Sequence, residues 1–233
     1  DVIKGTAPTE YNNKIDFLFF AYDDRLGGQL DDYSCCKIVR EPGFVGGFIY
    51  KHLQQQMVQD YDKIIIMLDD IKLQPDFNLS KVIVLQDTYN FDIISPSLTT
   101  DSKINHNFMK TRELISEDCV LHVGYIEFFM YVMNPADDSY ARWLSCFTEH
   151  TKTMWGIDII LSTELGLKLG LINSMTMTHM FKGGSKLGGM SEMKRLFKRI
   201  NKKHEDNGTE SPVSTGDLRA ITLVEKVSCL YKY

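Results

Sequence analysis

Two adjacent carboxylates, Asp69 and Asp70, follow Ile64-Ile65-Ile66-Met67-Leu68, five large apolar residues with no 3.6-residue stripe. Such a run reads as a short strand buried on both faces of a parallel sheet, and it is too short for a core helix. Ligands of open α/β sheets bind outside the carboxyl ends of strands, so both acids stand where a ligand is expected. A pair of acids there attracts a hard divalent cation, which takes oxygen ligands and commonly bridges to a substrate's phosphates. A turn, or the N-cap of the next helix, uses the same residue types.

Three further groups have chemistry in reach. Thr178-His179-Met180 leads into Phe181-Lys182-Gly183-Gly184-Ser185-Lys186-Leu187-Gly188-Gly189. A neutral imidazole at a strand end can add a nitrogen ligand to a carboxylate-held metal, and lysines among glycines offer charge and close backbone approach to a diphosphate. Trp155-Gly156-Ile157-Asp158 sets a carboxylate on the positive end of a helix dipole beside an aromatic wall, a pair that suits a sugar, although Asp158 serves equally as an ordinary first-turn acid. Ala21-Tyr22-Asp23 closes a second apolar strand, where a nucleotide base can lie against backbone with Tyr22 stacked on it. Arg40 could meet a phosphate or base, or form a surface ion pair. The Gly43–Gly47 cluster after it matches neither the dinucleotide fingerprint nor the Walker pattern, and reads as a loop needing positive φ or close ligand approach.

The elements that must position these groups alternate between strand and helix. Strands are expected over Lys14–Tyr22, Ile64–Leu68, Phe91–Leu98 (closed by Pro96) and Leu171–Met177. Cys119–Met133 reads as one long strand or two with a kink at Gly124, and its polar members His122 and Glu127 read as satisfied core or edge residues. Helices are expected over Ile49–Val58, Lys81–Tyr89, Asp138–Thr148, Ile159–Leu169 (stopped at Gly170) and Met190–Lys203, the last basic and amphipathic with Met193, Leu196, Phe197 and Ile200 inside. The polar stretch 99–118 reads as a long loop or weak helix, the kind that folds over a substrate. Residues 1–204 form the main domain, and 205–233 a linker with an added strand or the opening of a following domain.

Composition narrows the classes. The chain of 233 residues, 43% hydrophobic, can bury a full core. A net charge of −5, from 26 basic and 31 acidic residues, and no basic block before residue 194, exclude a polybasic nucleic-acid surface. No apolar run approaches the ~20 residues of a membrane span, and Asp1-Val2-Ile3-Lys4-Gly5 lacks a signal-peptide core. Five cysteines without CxxC or zinc spacing favour buried free thiols in a reducing, cytoplasmic setting. The absence of an initial Met suggests a piece of something longer, with further domains as potential partners.

The order of landmarks resembles the nucleotide-sugar glycosyltransferases of the GT-A fold over roughly residues 14 to 190. It is most like the small glycosyltransferase domains encoded by large algal DNA viruses, the chloroviruses. The resemblance implies an α/β fold with a central, mostly parallel sheet flanked by helices. In that family the last aspartate of an Asp-x-Asp motif binds Mn2+ or Mg2+, and an earlier one meets the ribose or sugar. Here Leu68-Asp69-Asp70 departs from the motif, so Asp70 is implied as the metal ligand and Asp69 as a nucleotide contact. Neighbouring strand residues point to opposite faces, which also limits direct metal contact to one of them. His179 is implied as a second metal ligand, and Lys186 or Lys182, with Gly183, as partners of the leaving diphosphate. Ala21, Tyr22, Asp23 and Arg40 fall to the nucleotide. The implied activity is metal-dependent transfer of a hexose or deoxyhexose from a UDP-sugar to a glycan or glycoprotein, retaining by analogy with the viral domains. An inverting reaction would require a carboxylate base, for which Asp158 is the candidate. The rival classes are a catalytically silent nucleotide-sugar-binding module and a metal-dependent phosphotransferase. The second lacks both a phosphate loop and an Asp-x-Asp-x-[TV] nucleophile motif.

Overall fold

The computed structural model describes residues 15–22, 36–104, 107–112, 119–180, 189–210 and 226–229. Phe17–Ala21 (β1) and Cys36–Arg40 (β2) pair in parallel, with Ala21 opposite Arg40. Val45–His52 (α1) and Gln55–Val58 (α2) lead into Ile64–Met67 (β3), followed by Ile71–Leu73 (β4), Leu79–Tyr89 (α3) and Ile93–Leu98 (β5). Then come Cys119–Val123 (β6), Met130–Met133 (β7), Asp138–Leu144 (α4), Ile157–Thr163 (α5), Leu169–His179 (β8), Gly189–Asp206 (α6) and Lys226–Cys229 (β9). The larger sheet has the order β3-β7-β5-β8-β6-β9, and β4 also pairs with β8.

The centre of this sheet is β5 against β8. Every residue of β5 is buried, as are the first five of β8. Helix α3 covers the sheet with Val82 and Leu85. Its boundaries are local chemistry: the Asn78 side chain accepts the Lys81 N–H at 3.0 Å, and Asn90 ends it in the left-handed region at φ 52°. Buried Gln86 donates to the Val132 carbonyl at 3.1 Å, tying α3 to β7. Met193, Phe197 and Ile200 of α6 point inward, as the helical spacing predicts.

Several expectations change. Of the described strand pairings, β1–β2 and β5–β8 are parallel and the other five antiparallel, so the sheet is mixed rather than mostly parallel. An unbroken apolar run reports covered faces, not strand direction. Even the covered faces are incomplete at β3, where Ile65 and Met67 are 37% and 38% exposed. The expected helix over Ile49–Val58 breaks at Leu53 and Gln54, and α1 starts earlier, taking in Gly46 and Gly47 without positive φ. Gly46 serves close packing, since a Cβ there would come 2.6 Å from Thr151 Cγ2 and 2.8 Å from its carbonyl.

Pro96 lies inside β5 instead of closing it. The register with β8 slips between Pro96 and Ser97, because proline cannot donate to the ladder. The slipped residue Asn173 is used instead by the 107–112 segment: its side chain accepts the Arg112 N–H at 2.7 Å and donates to the Arg112 carbonyl at 2.9 Å. Gly170 does not stop a helix but sits in β8, where a Cβ would come 2.8 Å from the Phe91 ring; the preceding helix ends at Thr163.

The Cys119–Met133 run resolves into β6 and β7 with different neighbours, and β9 joins the sheet beside β6. In that register Cys119 lies opposite Cys229, and Cys119 is disulfide-bonded, against the expectation of free thiols. The reducing-compartment reading loses its support at this cysteine. Cys146 is free and buried, and burial pushes its thiol up to about 12.

Candidate active site

Strand β4 runs antiparallel to β8 with Ile71 opposite His179, and the Met180 N–H donates to the Asp70 carbonyl at 3.0 Å. That register brings the two side chains together: His179 Nε2 stands 2.9 Å from Asp70 Oδ2. The other ring nitrogen, Nδ1, is 2.7 Å from the Lys103 carbonyl, and the ring packs on Phe129 at 4.6 Å between centroids. Both nitrogens therefore face oxygen acceptors, whereas a neutral imidazole has one N–H. With Nδ1–H given to Lys103, the Nε2 lone pair and the carboxylate oppose each other unless a proton or a cation lies between them. Among the described residues, buried Asp70 Oδ1 has no hydrogen-bond partner.

One carboxylate oxygen and one imidazole nitrogen are donors that a divalent transition-metal ion can share. Neighbouring ligands at ~2.1 Å on an octahedral ion lie about 3 Å apart, the spacing seen here. Among the described residues no group of three or more His, Cys, Asp or Glu side chains is arranged to hold a metal. A two-residue site agrees with ions that are bound through one or two carboxylates and complete their shell with substrate phosphates and water.

Asp69 turns away from Asp70. Its Oδ2 accepts the Tyr22 hydroxyl at 3.0 Å, which joins the end of β1 to the end of β3. A second bond, Tyr61 hydroxyl to Asp16 at 2.7 Å, joins the start of β1 to the approach to β3. Tyr22 is 40% exposed, Ala21 is buried, and Arg40 lies exposed beside Ala21 in register. Thus Ala21, Tyr22, Arg40 and Asp69 gather at one set of strand ends, with Asp70 and His179 next along. Asp23, Lys182, Gly183 and Lys186 lie outside the described residues.

Asp158 forms a second, buried group. Its Oδ2 accepts the Tyr125 hydroxyl at 2.9 Å, and its Oδ1 accepts the N–H groups of Gly156 and Ile159 at 3.2 and 3.0 Å. Burial pushes its carboxyl up to about 6, against the lowering effect of these hydrogen bonds. Glu127 is pushed up to about 7, first by burial and then by the charge of Asp158, and its buried Oε2 has no hydrogen-bond partner among the described residues. Its expected role as a satisfied core residue is thus overturned at one oxygen. An acid within the apolar run 119–133 was the signal that marked it. His122 keeps its expected place, edge-on to Phe91 at 5.8 Å.

The Trp155 wall rests on α6. A Cβ at Gly189 would come 2.7 Å from the Trp155 ring, and one at Gly156, which has φ 91°, would come 2.7 Å from Met193 Cγ. Glu192 accepts the Lys152 and Thr153 N–H groups at 2.7 and 3.0 Å. The ring stays 39% exposed. One segment connects this wall to the Asp70 corner: Phe129 lies on His179 and accepts the Leu68 N–H at 3.0 Å, while Tyr125 bonds Asp158. Four residue steps span at most about 14 Å, which bounds how far apart the backbone at the two groups can lie.

No protein-family model matches the sequence, and no characterised protein matches it by sequence. Solved structures do match in fold. The chain superposes on GalNAc-T7, crystallised with UDP, GalNAc and Mn2+, with a TM-score of 0.57 at 10% identity, over 94% of this chain and 48% of that one. It superposes on residues 1–349 of S. aureus TarS with a TM-score of 0.50 at 9% identity, over 85% of this chain and 58% of that one. The fold is GT-A. The chain spans about half the length of these two structures, and at such identities the likeness speaks for the fold alone. In this GT-A chain, Asp70 follows the strand tip that the resemblance singled out, and His179 ends the central strand.

Proposed function

We propose that the chain is a metal-dependent glycosyltransferase that moves a hexose or deoxyhexose from a UDP-sugar to a hydroxyl of a glycan or glycoprotein acceptor, with retention of configuration. One observation carries the reading. At the strand ends of a GT-A sheet, a carboxylate with a buried, unpartnered oxygen stands 2.9 Å from an imidazole whose other nitrogen is already engaged. Asp70 and His179 would hold Mn2+ or Mg2+, and an ion bound there neutralises charge developing on the departing diphosphate. Lys186, with Lys182 and Gly183, follows His179 closely in sequence, and the two lysines would supply further positive charge to the diphosphate. Tyr22 offers a half-exposed ring to the base beside Ala21. Asp69, already accepting from Tyr22, has acceptor capacity left for a ribose hydroxyl. Arg40 and Asp23 complete the nucleotide end. GalNAc-T7 was crystallised with UDP and Mn2+, which supports the same donor class and ion. The likeness to algal-virus domains stays on the sequence landmarks.

Retention rests on the resemblance to the viral domains, and Asp158 is read here as a positioning residue. An inverting reaction needs a carboxylate to take the acceptor's proton. Both oxygens of Asp158 are engaged by Tyr125 and backbone N–H groups, which suits a residue that holds the Trp155 wall. Calorimetric titration of UDP with and without Mn2+ tests the reading, followed by NMR of UDP-sugar turnover. Mn2+-dependent UDP binding with slow UDP release and a retained anomer is expected. Absence of Mn2+-dependent UDP binding by the folded protein would overturn it, and binding without turnover across a donor panel would mark a silent binding module.

A further inference from the structure

We infer that the turn Thr99-Thr100-Asp101-Ser102-Lys103 is a positioning device for His179, fixing its Nδ1–H on a backbone carbonyl so that Nε2 is presented to Asp70. The inference rests on the reading of His179 as a metal ligand. Its evidence is the number of separate holds on one residue. Ser102, 3% exposed, accepts the His179 backbone N–H on Oγ at 3.1 Å. Lys103 takes both remaining groups: its N–H donates to the His179 carbonyl at 3.3 Å, and its own carbonyl lies 2.7 Å from Nδ1. The turn is itself anchored. The Thr99 N–H donates to the Met177 carbonyl at 2.9 Å, and Thr99 Oγ1 bridges Ser102 Oγ at 3.0 Å and Thr178 Oγ1 at 2.9 Å. Gln74 reaches Thr178 Oγ1 from the far side at 2.7 Å. A metal-bound histidine commonly gives its second N–H to a carbonyl or carboxylate, and removing such an outer partner typically weakens metal binding about 10- to 100-fold. Ser102 bonds the backbone of His179, so its influence passes through that backbone and through the neighbouring Lys103 carbonyl that holds Nδ1.

The test uses the whole chain with Ser102→Ala, and Thr99→Val as a gentler variant should the first fail to fold. Nitrogen-15 NMR of histidine, without metal and with diamagnetic Mg2+, reads the Nδ1 proton, and electron paramagnetic resonance titration reads Mn2+ affinity. The expectation is a protonated, slowly exchanging Nδ1 in the wild type, faster exchange in both variants, and Mn2+ affinity about 10-fold weaker in Ser102→Ala and a few-fold weaker in Thr99→Val. Unprotonated Nδ1 in the wild type, or variants matching it in both measurements, overturns the inference. If the wild type binds no Mn2+, the metal reading falls while Nδ1 exchange in the metal-free protein still decides whether the turn holds the ring.

Discussion

Replacing Asp70 by Asn separates a ligand-holding carboxylate from a structural one, because the two roles predict opposite stability effects. In the metal-free protein Asp70 bonds His179 through Oδ2 at 2.9 Å but leaves Oδ1 buried and unpaired. A hydrogen bond to a charged group contributes about 1.5–3 kcal/mol, and an unsatisfied buried group costs about 1–3 kcal/mol. Asn keeps a polar atom at each position, and its amide can donate to the Nε2 lone pair left when Nδ1–H goes to Lys103, so the metal-free variant should melt within about 1 kcal/mol of the wild type, or roughly 2–4 °C for a chain of this length. With Mn2+ present the proteins should diverge. An ion at 100 times its dissociation constant stabilises the wild type by about 2.7 kcal/mol, a rise of roughly 5–10 °C. Asp70→Asn should show little of that rise, and Asp70→Ala none. Differential scanning calorimetry of the three proteins with and without Mn2+ and UDP makes the comparison. A full Mn2+-dependent rise in Asp70→Ala, or a metal-free Asp70→Asn that melts more than 10 °C low, would refute the reasoning.

Other outcomes follow from the second group and its wall. Burial, with the charge of Asp158, raises Glu127 to about 7, and burial raises Asp158 to about 6. A carboxyl raised in the folded state contributes stability that is present below its ordinary value near 4 and lost as pH rises through the folded value. The wild type should therefore lose stability from pH 5 to 8, by on the order of 3 kcal/mol for the coupled pair. Glu127→Gln should flatten that slope in urea titrations, and an unchanged slope would contradict the assignment. Of the two tryptophans, Trp143 is fully buried and Trp155 is 39% exposed, so sugar binding should alter emission and acrylamide quenching in the wild type and not in Trp155→Phe. Gly156→Ala combines positive φ with a clash on Met193 and should lower stability by about 1–3 kcal/mol while leaving Mn2+ binding intact.

The meeting of Asp70 with His179 was legible in the sequence because each half is local. An apolar run ending in acids and a histidine ending another apolar run both report strand tips, and a sheet that alternates with helices collects strand tips on one edge. The resemblance to GT-A transferases then proposed which tips belong together. Strand direction was not legible: the residues of β7 are as apolar as those of β5, yet the two run antiparallel, since burial on both faces is the same whichever way the backbone points. The Cys119 disulfide was hidden for a related reason, because spacing along the chain does not report which residues the fold brings together.

The residues that the sequence left unread are those whose role depends on a polar atom finding or lacking a partner. Ser102 and Lys103 fall in a polar stretch that composition describes only as loop, yet they fix both the backbone and the ring of His179. Glu127 sits in an apolar run where burial argues for a satisfied group, yet one oxygen is left without a partner. A strand tip can offer a ligand to solvent with no help from neighbours, but an imidazole presents a chosen nitrogen only if something holds the other. The same sheet edge would therefore carry Asp70 and His179 and hold an ion about 10- to 100-fold more weakly, should the turn at 99–103 be lost.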